Sequence, residues 1–121
     1  KKFEDYAQIM LTFEGGKNAF IESNWLTPYK TRTRVVTGSK AIMKLDYITQ
    51  ELTIESEKET LQPRLPWQEP LKLELQNFAN CILKKEKPLI TGIDGLKALK
   101  IAEAALKSSS TGRVEKLKSK L

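Results

Sequence analysis

The 121 residues suit one domain with one core, and a content of 40% hydrophobic and 30% charged residues excludes a disordered chain, while no apolar run approaches the ~20 residues of a membrane helix. There is no histidine and a single cysteine, Cys81, which excludes a Cys/His metal cluster, a Ser-His-Asp or Cys-His device and an internal disulfide within this chain. The net charge of +6 permits contact with nucleic acid, anionic substrates or an acidic partner, although a Lys- and Glu-coated surface is its plainest explanation.

The first half reads as strands. In Ala7-Gln8-Ile9-Met10-Leu11-Thr12-Phe13 the odd-numbered residues are apolar and fall on one face, the period of a half-buried strand. Gly15-Gly16 can take the positive φ of a hairpin turn. A second strand runs from Ala19 to Leu26 and is broken at Thr27-Pro28-Tyr29, because Pro28 cannot donate to a ladder. The β-branched stretch from about Lys30 to Thr37 predicts a third strand, and Gly38-Ser39-Lys40 a turn. Ala41 to Leu45 and Glu51 to Ile54 predict two more short strands. Glu55 to Trp67 reads as a connection with room for one short edge strand. Short links between successive strands favour an antiparallel meander.

The second half reads as helices. Pro70 suits a first helical turn, and Leu71, Leu75, Phe78 and Ile82 form an apolar stripe. Lys84 and Lys85 are placed in the last turn, and Pro88 stops the helix. Thr91-Gly92-Ile93-Asp94 predicts a capping box for a second helix. That helix carries Lys97, Lys100, Glu103 and Lys107 as one polar stripe and is expected to be deeply buried. Gly112 closes it, and Arg113 to Leu117 is expected to return as a short strand. The fold class that follows is α+β: a mainly antiparallel open sheet of about five or six strands, with two C-terminal helices packed on one face. The other face carries Met10, Phe20 and Val36 among Glu22, Asn24, Lys30, Arg32 and Arg34.

Lys30, Arg32 and Arg34 alternate, so on a strand they would line one face and could hold carboxylates or phosphates. Trp25 and Tyr29 flank the same bend. The plain alternative is a solvated strand face beside two packing aromatics. Asp46, Glu69, Glu74 and Asp94 are carboxylates in suggestive places, but no two form a recognisable acid/base couple, and Asp94 is better explained as a cap. Cys81, beside Ile82, reads as a structural thiol. The N-terminus Lys1-Lys2-Phe3-Glu4-Asp5-Tyr6 has no initiator Met and no apolar signal segment, which suggests a chain cut from a longer one. The unpaired cysteine fits a reducing, cytoplasmic home.

Taken in order, Tyr6-Ala7-Gln8-Ile9-Met10-Leu11-Thr12-Phe13-Glu14-Gly15-Gly16, Ile21-Glu22-Ser23-Asn24-Trp25-Leu26-Thr27-Pro28-Tyr29-Lys30-Thr31-Arg32 and Val35-Val36-Thr37-Gly38-Ser39-Lys40-Ala41 form a familiar set. With Glu69-Pro70-Leu71-Lys72-Leu73-Glu74-Leu75-Gln76-Asn77-Phe78 and the run from Thr91 to Ala105, the chain resembles the C-terminal domain of the glucose–fructose oxidoreductase / inositol dehydrogenase / MocA family of NAD(P)-dependent oxidoreductases. The resemblance implies that residues 1–121 are a substrate-binding and oligomerisation domain. An N-terminal Rossmann domain, which is not in this sequence, would bind NAD or NADP. Glu86-Lys87-Pro88 copies the family's catalytic tripeptide in letters only, because it lies between two C-terminal helices, so no catalytic role is carried onto it. By position, the bend from Trp25 to Arg32 resembles the stretch that contacts substrate in relatives. Tyr29 and Lys30 lead, with Trp25 and Arg32 behind them, and the substrate would be a sugar or polyol derivative. The open sheet face is expected to pair subunits into a homo-oligomer. No cofactor, metal or membrane contact is expected of this chain alone. A standalone dimerising scaffold and, ranked last, a basic nucleic-acid-binding module are the alternatives, the latter lacking aromatics interleaved with its cations.

Overall fold

The computed structural model describes residues 3–117. In chain order its elements are β1 (Tyr6–Thr12), β2 (Asn18–Asn24), β3 (Thr33–Thr37), β4 (Ala41–Asp46), β5 (Leu52–Ser56), β6 (Thr60–Leu61), α1 (Pro70–Leu83) and α2 (Gly92–Thr111). The class is α+β with antiparallel pairing, as the alternating and helical patterns predict. The six strands form a two-stranded sheet, β1-β2, and a four-stranded sheet, β3-β4-β5-β6. The chain divides into two compact units, residues 1–6 with 23–72 and residues 7–22 with 73–121.

The first unit is built on the four-stranded meander. Its register pairs Val36 with Met43, Met43 with Ile54 and Ile54 with Leu61, an apolar row across all four strands. Arg34, Leu45 and Leu52 make the neighbouring row on that face. Antiparallel partners point to the same side, so Val35, Lys44 and Thr53 share the opposite face with Thr37, Ile42 and Glu55. Lys44 Nζ donates to both carboxylate oxygens of Glu55 there, at 2.8 and 2.9 Å. Arg34 and Val36 therefore lie with Met43 and Ile54 on the more apolar face, not on a separate polar one.

The second unit holds most of the β1-β2 hairpin and the two helices. Gly15 and Gly16 both have positive φ, 81° and 76°, which lets Phe13 N–H reach the Lys17 carbonyl at 2.8 Å. On β1, Ile9 and Leu11 are half-buried while Met10 is exposed, as the period of two predicts. α1 starts at Pro70, and Glu69 Oε1 accepts from Leu71 N–H at 3.3 Å. It ends at Leu83, immediately before Lys84 and Lys85, which therefore lie outside its last turn. Lys84 N–H closes onto the Asn80 carbonyl, and Lys85 adopts φ 54°, a left-handed conformation that terminates the helix.

α2 is longer than its apolar pattern alone required. It runs from the capping box to Gly112, whose φ of 66° lets its N–H reach the Ser108 carbonyl at 2.8 Å. The segment after it is not a strand. Ser108 Oγ donates to the Arg113 carbonyl and Lys107 pairs with Glu115 at 2.8 Å, so the returning chain is tied to the helix end instead of a ladder. Deep burial of α2 is also not found. No residue of α2 is buried; Ile101, Ala104, Ala105 and Ser108, one helical stripe, are half-buried. An apolar stripe fixes which face seeks cover, not how much cover the chain supplies. The same holds for α1, where Asn77, Asn80 and Cys81 are half-buried and Phe78 is 65% exposed. Among the described residues no helix is long and apolar enough to cross a membrane.

Candidate functional site

The candidate site is the link between β2 and β3. β2 ends at Asn24, before Pro28 is reached, because the Asn24 side chain turns the chain. Its Oδ1 accepts from Leu26 N–H at 2.9 Å and Thr27 N–H at 3.0 Å, an Asx-type turn. Trp25 N–H donates to the Asp5 carbonyl at 2.9 Å, which anchors the start of the bend. Further along, Thr27 Oγ1 reaches the Tyr29 carbonyl at 3.4 Å. At the far end, Tyr47 N–H donates to the Arg32 carbonyl at 2.8 Å.

The four predicted residues lie on this link with their side chains outward. Trp25 is 89% and Tyr29 80% exposed, and Lys30 and Arg32 are exposed as well. Lys30 and Arg32 are not on a strand face. β3 begins at Thr33, so of the three alternating cations only Arg34 belongs to it. The reason lies in the partner strand: Thr33 pairs with Asp46, the last residue of β4. Asp46 Oδ1 then accepts from Ile48 and Thr49 N–H at 2.7 and 3.1 Å and turns the chain away. Past that point β3 has no ladder to join. Arg34 is drawn to a residue that composition did not single out, its guanidinium carbon lying 5.6 Å from the Tyr47 ring centroid.

The described residues bring no acidic side chain into an ion pair with Lys30 or Arg32; the ion pairs among the described residues include Lys44–Glu55, Lys97–Asp94 and Lys107–Glu115. A shallow, open depression of about 300 Å³ lies along β3 to β5, among Thr33, Lys44, Asp46, Glu51 and Thr53. None of the four predicted residues lines it. Three of the four suggestive carboxylates have structural work: Asp46 makes a turn, Glu69 meets the start of α1, and Asp94 closes the capping box, while Glu74 is an exposed residue of α1. Cys81 is half-buried, with Sγ 4.0 Å from Asn77 Oδ1. Among the described residues no three His, Cys, Asp or Glu side chains cluster as metal ligands would.

Asn24, Asp5 and Tyr47 are the participants that residue-type reasoning missed. Asn24-Trp25-Leu26-Thr27 does contain a signal, an Asn followed by a Pro-containing break, which favours an Asx turn. The Asp5 carbonyl and Tyr47 amide act through backbone atoms and leave no trace in residue type. A second such link fixes the connection before α1. Gln50 Nε2 donates to the Gln68 carbonyl at 2.7 Å while its Oε1 accepts from Gln68 N–H at 3.0 Å.

A family profile described as the C-terminal alpha/beta domain of an oxidoreductase family matches residues 1–118. The fold is similar to that of UDP-N-acetylglucosamine 3-dehydrogenase GnnA from Acidithiobacillus ferrooxidans. In two crystal forms that enzyme superposes with TM-scores of 0.71 and 0.72 at 19% identity, covering 85% of this chain and 33% of its own. A Thermotoga maritima protein assigned as an oxidoreductase superposes with a TM-score of 0.77 at 20% identity, covering 93% of this chain and 34% of its own. The chain thus spans about a third of the length of these solved structures. Among curated proteins none matches it.

Proposed function

The chain belongs to the glucose–fructose oxidoreductase / inositol dehydrogenase / MocA family as its C-terminal alpha/beta domain, and from that premise we propose that it binds the substrate, and pairs subunits, for an NAD(P)-dependent dehydrogenase acting on a sugar or polyol derivative. The observation that carries this reading is the bend from Trp25 to Arg32. Its backbone is pinned at both ends, while two aromatic and two cationic side chains point to solvent without an acidic partner. An aromatic face packs against the C–H face of a sugar ring. A Lys or Arg donates to ring hydroxyls, a carboxylate or a phosphate. The likeness to a dehydrogenase of a sugar nucleotide supports the same substrate class.

The dinucleotide would supply the hydride acceptor, but the residues present here do not fit it. Gly15 and Gly16, the only adjacent glycines, turn a hairpin between two strands, whereas a pyrophosphate cradle needs a turn from strand into helix. The partner domain for that task is the family's N-terminal Rossmann domain, and this chain by itself should oxidise nothing. Subunit pairing is assigned to a sheet surface because Met10 and Phe20 stand exposed on the hairpin, an arrangement that a second copy would cover.

The test is steady-state reduction of NAD+ and NADP+ by the full-length protein with UDP-N-acetylglucosamine, free hexoses and inositol. Tyr29→Ala and Arg32→Gln should raise KM for the productive substrate and leave KM for the dinucleotide in place. A full-length protein that turns over no sugar or cyclitol, or whose KM ignores both substitutions, would refute the assignment.

A further inference from the structure

We propose that Asn24 is a positioning residue for substrate, setting the direction of the bend through its side-chain oxygen; this rests on the reading of Trp25 to Arg32 as the substrate-contacting segment. Every residue from 25 to 40 is exposed, so packing cannot hold Trp25 or Tyr29 in place. Their positions depend on the backbone that carries them. That backbone is fixed at two places: the Asn24–Trp25 junction, and the Arg32 carbonyl that receives Tyr47 N–H. Between them the side chains contribute one long contact, Thr27 Oγ1 to the Tyr29 carbonyl at 3.4 Å.

Asn24 is the half-buried member of this region, and one of its oxygens satisfies two successive free amides, Leu26 and Thr27, at 2.9 and 3.0 Å. One acceptor holding two amides fixes the chain direction immediately after β2, where the ladder ends. Without it, residues 25–31 form a tether between two fixed ends, and Trp25 and Tyr29 sample many placements. The ordering cost then falls on substrate binding, which raises KM and leaves the chemical step alone. Pro28 limits one φ within the bend but accepts no amide, so it cannot replace this anchor.

The experiment compares Asn24→Ala, Asn24→Asp and Tyr29→Ala in the full-length protein, with UDP-N-acetylglucosamine as the probe. Asn24→Asp keeps an acceptor oxygen in the same place. Asn24→Ala should raise KM for the sugar nucleotide on the order of tenfold, the scale of two lost hydrogen bonds. The KM for the dinucleotide, kcat and the thermal midpoint should hold, and Asn24→Asp should return KM toward the parent value. Amide exchange at Leu26 and Thr27 should quicken in Asn24→Ala and slow again in Asn24→Asp. If Tyr29→Ala raises KM while Asn24→Ala does not, or if exchange is unchanged, the positioning role is overturned and the substrate bend stands. Loss of dinucleotide binding and thermal stability together would also overturn it, as a structural role only. Where UDP-N-acetylglucosamine is not turned over, the hexose or inositol that is turned over serves as the probe; turnover of none of them, or no response to Tyr29→Ala, removes the substrate bend itself and this proposal with it.

Discussion

The capping box of α2 gives the sharpest physical prediction, because its parts separate by substitution and by pH. Thr91 Oγ1 donates to Asp94 Oδ2 at 2.7 Å and accepts from Asp94 N–H at 3.4 Å, while Thr91 N–H donates to Asp94 Oδ2 at 2.9 Å. The bond accepted by the hydroxyl is long, which places Thr91→Ala at the lower end of N-cap losses, about 0.5–1 kcal/mol, or roughly a two- to fivefold drop in the helix–coil equilibrium. The two donations from Thr91, the hydroxyl first and the amide second, hold the Asp94 carboxyl below its ordinary value of 3.8, with a smaller contribution from Lys97. The folded pKa is the lower one. The helix therefore gains from ionised Asp94 in full above pH 3.8, and the gain disappears as pH falls through the folded value.

Circular dichroism of a synthetic peptide spanning residues 88–117, titrated from neutral to strongly acidic pH, reads both effects. The parent should lose helicity on acidification below pH 3.8 beyond what Asp94→Asn loses, and Thr91→Ala should start lower at neutral pH. Equal helicity of parent and Thr91→Ala at neutral pH, or a parent that gains helicity as Asp94 is protonated, would refute the account.

Gly112→Ala places a Cβ at φ 66°, which costs about 1–2 kcal/mol of left-handed strain, and the same peptide should show a frayed C-terminal turn. No loss of helicity would mean that Gly112 does not close the helix in this conformation. Gln50→Ala removes both hydrogen bonds to Gln68, and the Gln68 amide should exchange faster with solvent; Gln50→Gly should do the same while relieving the φ of 61° at that position. Unchanged exchange in both variants would show that the clamp contributes nothing. Lys44→Ala should shift stability by less than about 1 kcal/mol, since its ion pair with Glu55 is exposed on both sides; a larger loss on urea denaturation would point to cover on that face.

Local chemistry explains which parts of this fold were legible. The paired glycines, Pro70 at a helix start, the Thr91–Asp94 box and Gly112 at the helix end each act within a few residues, and each is found as read; the alternation from Ala7 to Phe13 holds at Ile9 and Leu11, while Ala7 is exposed and Phe13 lies past the end of β1. The errors share a different cause. Whether Arg32 belongs to β3 depends on where β4 stops, fourteen residues later in the register, at Asp46. Whether Arg113 to Leu117 becomes a strand depends on Lys107 and Ser108 offering it other partners. The Gln50–Gln68 link joins residues eighteen apart through a side-chain amide that composition treats as plain surface. The burial of α2 depends on what is packed against it, which its own stripe of Ala, Leu and Ile cannot specify. At the candidate site, the side-chain types were legible, whereas the backbone that aims them was not.

Two short polar side chains decide where the candidate cations stand. Asp46 folds the chain back after β4, and the end of β4 sets the start of β3 at Thr33, so Lys30 and Arg32 stay outside the sheet. Asn24 does the same after β2, from the other side of the link. The result is a free bend between two strand ends, in which Trp25, Tyr29, Lys30 and Arg32 share one exposed segment. That distribution weighs against a nucleic-acid platform, which needs its cations tracking a groove or strand face with aromatics set between them. It suits a compact ligand better, because two aromatics and two cations within eight residues can enclose one small molecule, but could not follow a long backbone. A substitution that restored strand pairing past Asp46 would draw Arg32 back into the sheet. On the substrate reading, it would cost affinity for the ligand while stabilising the fold.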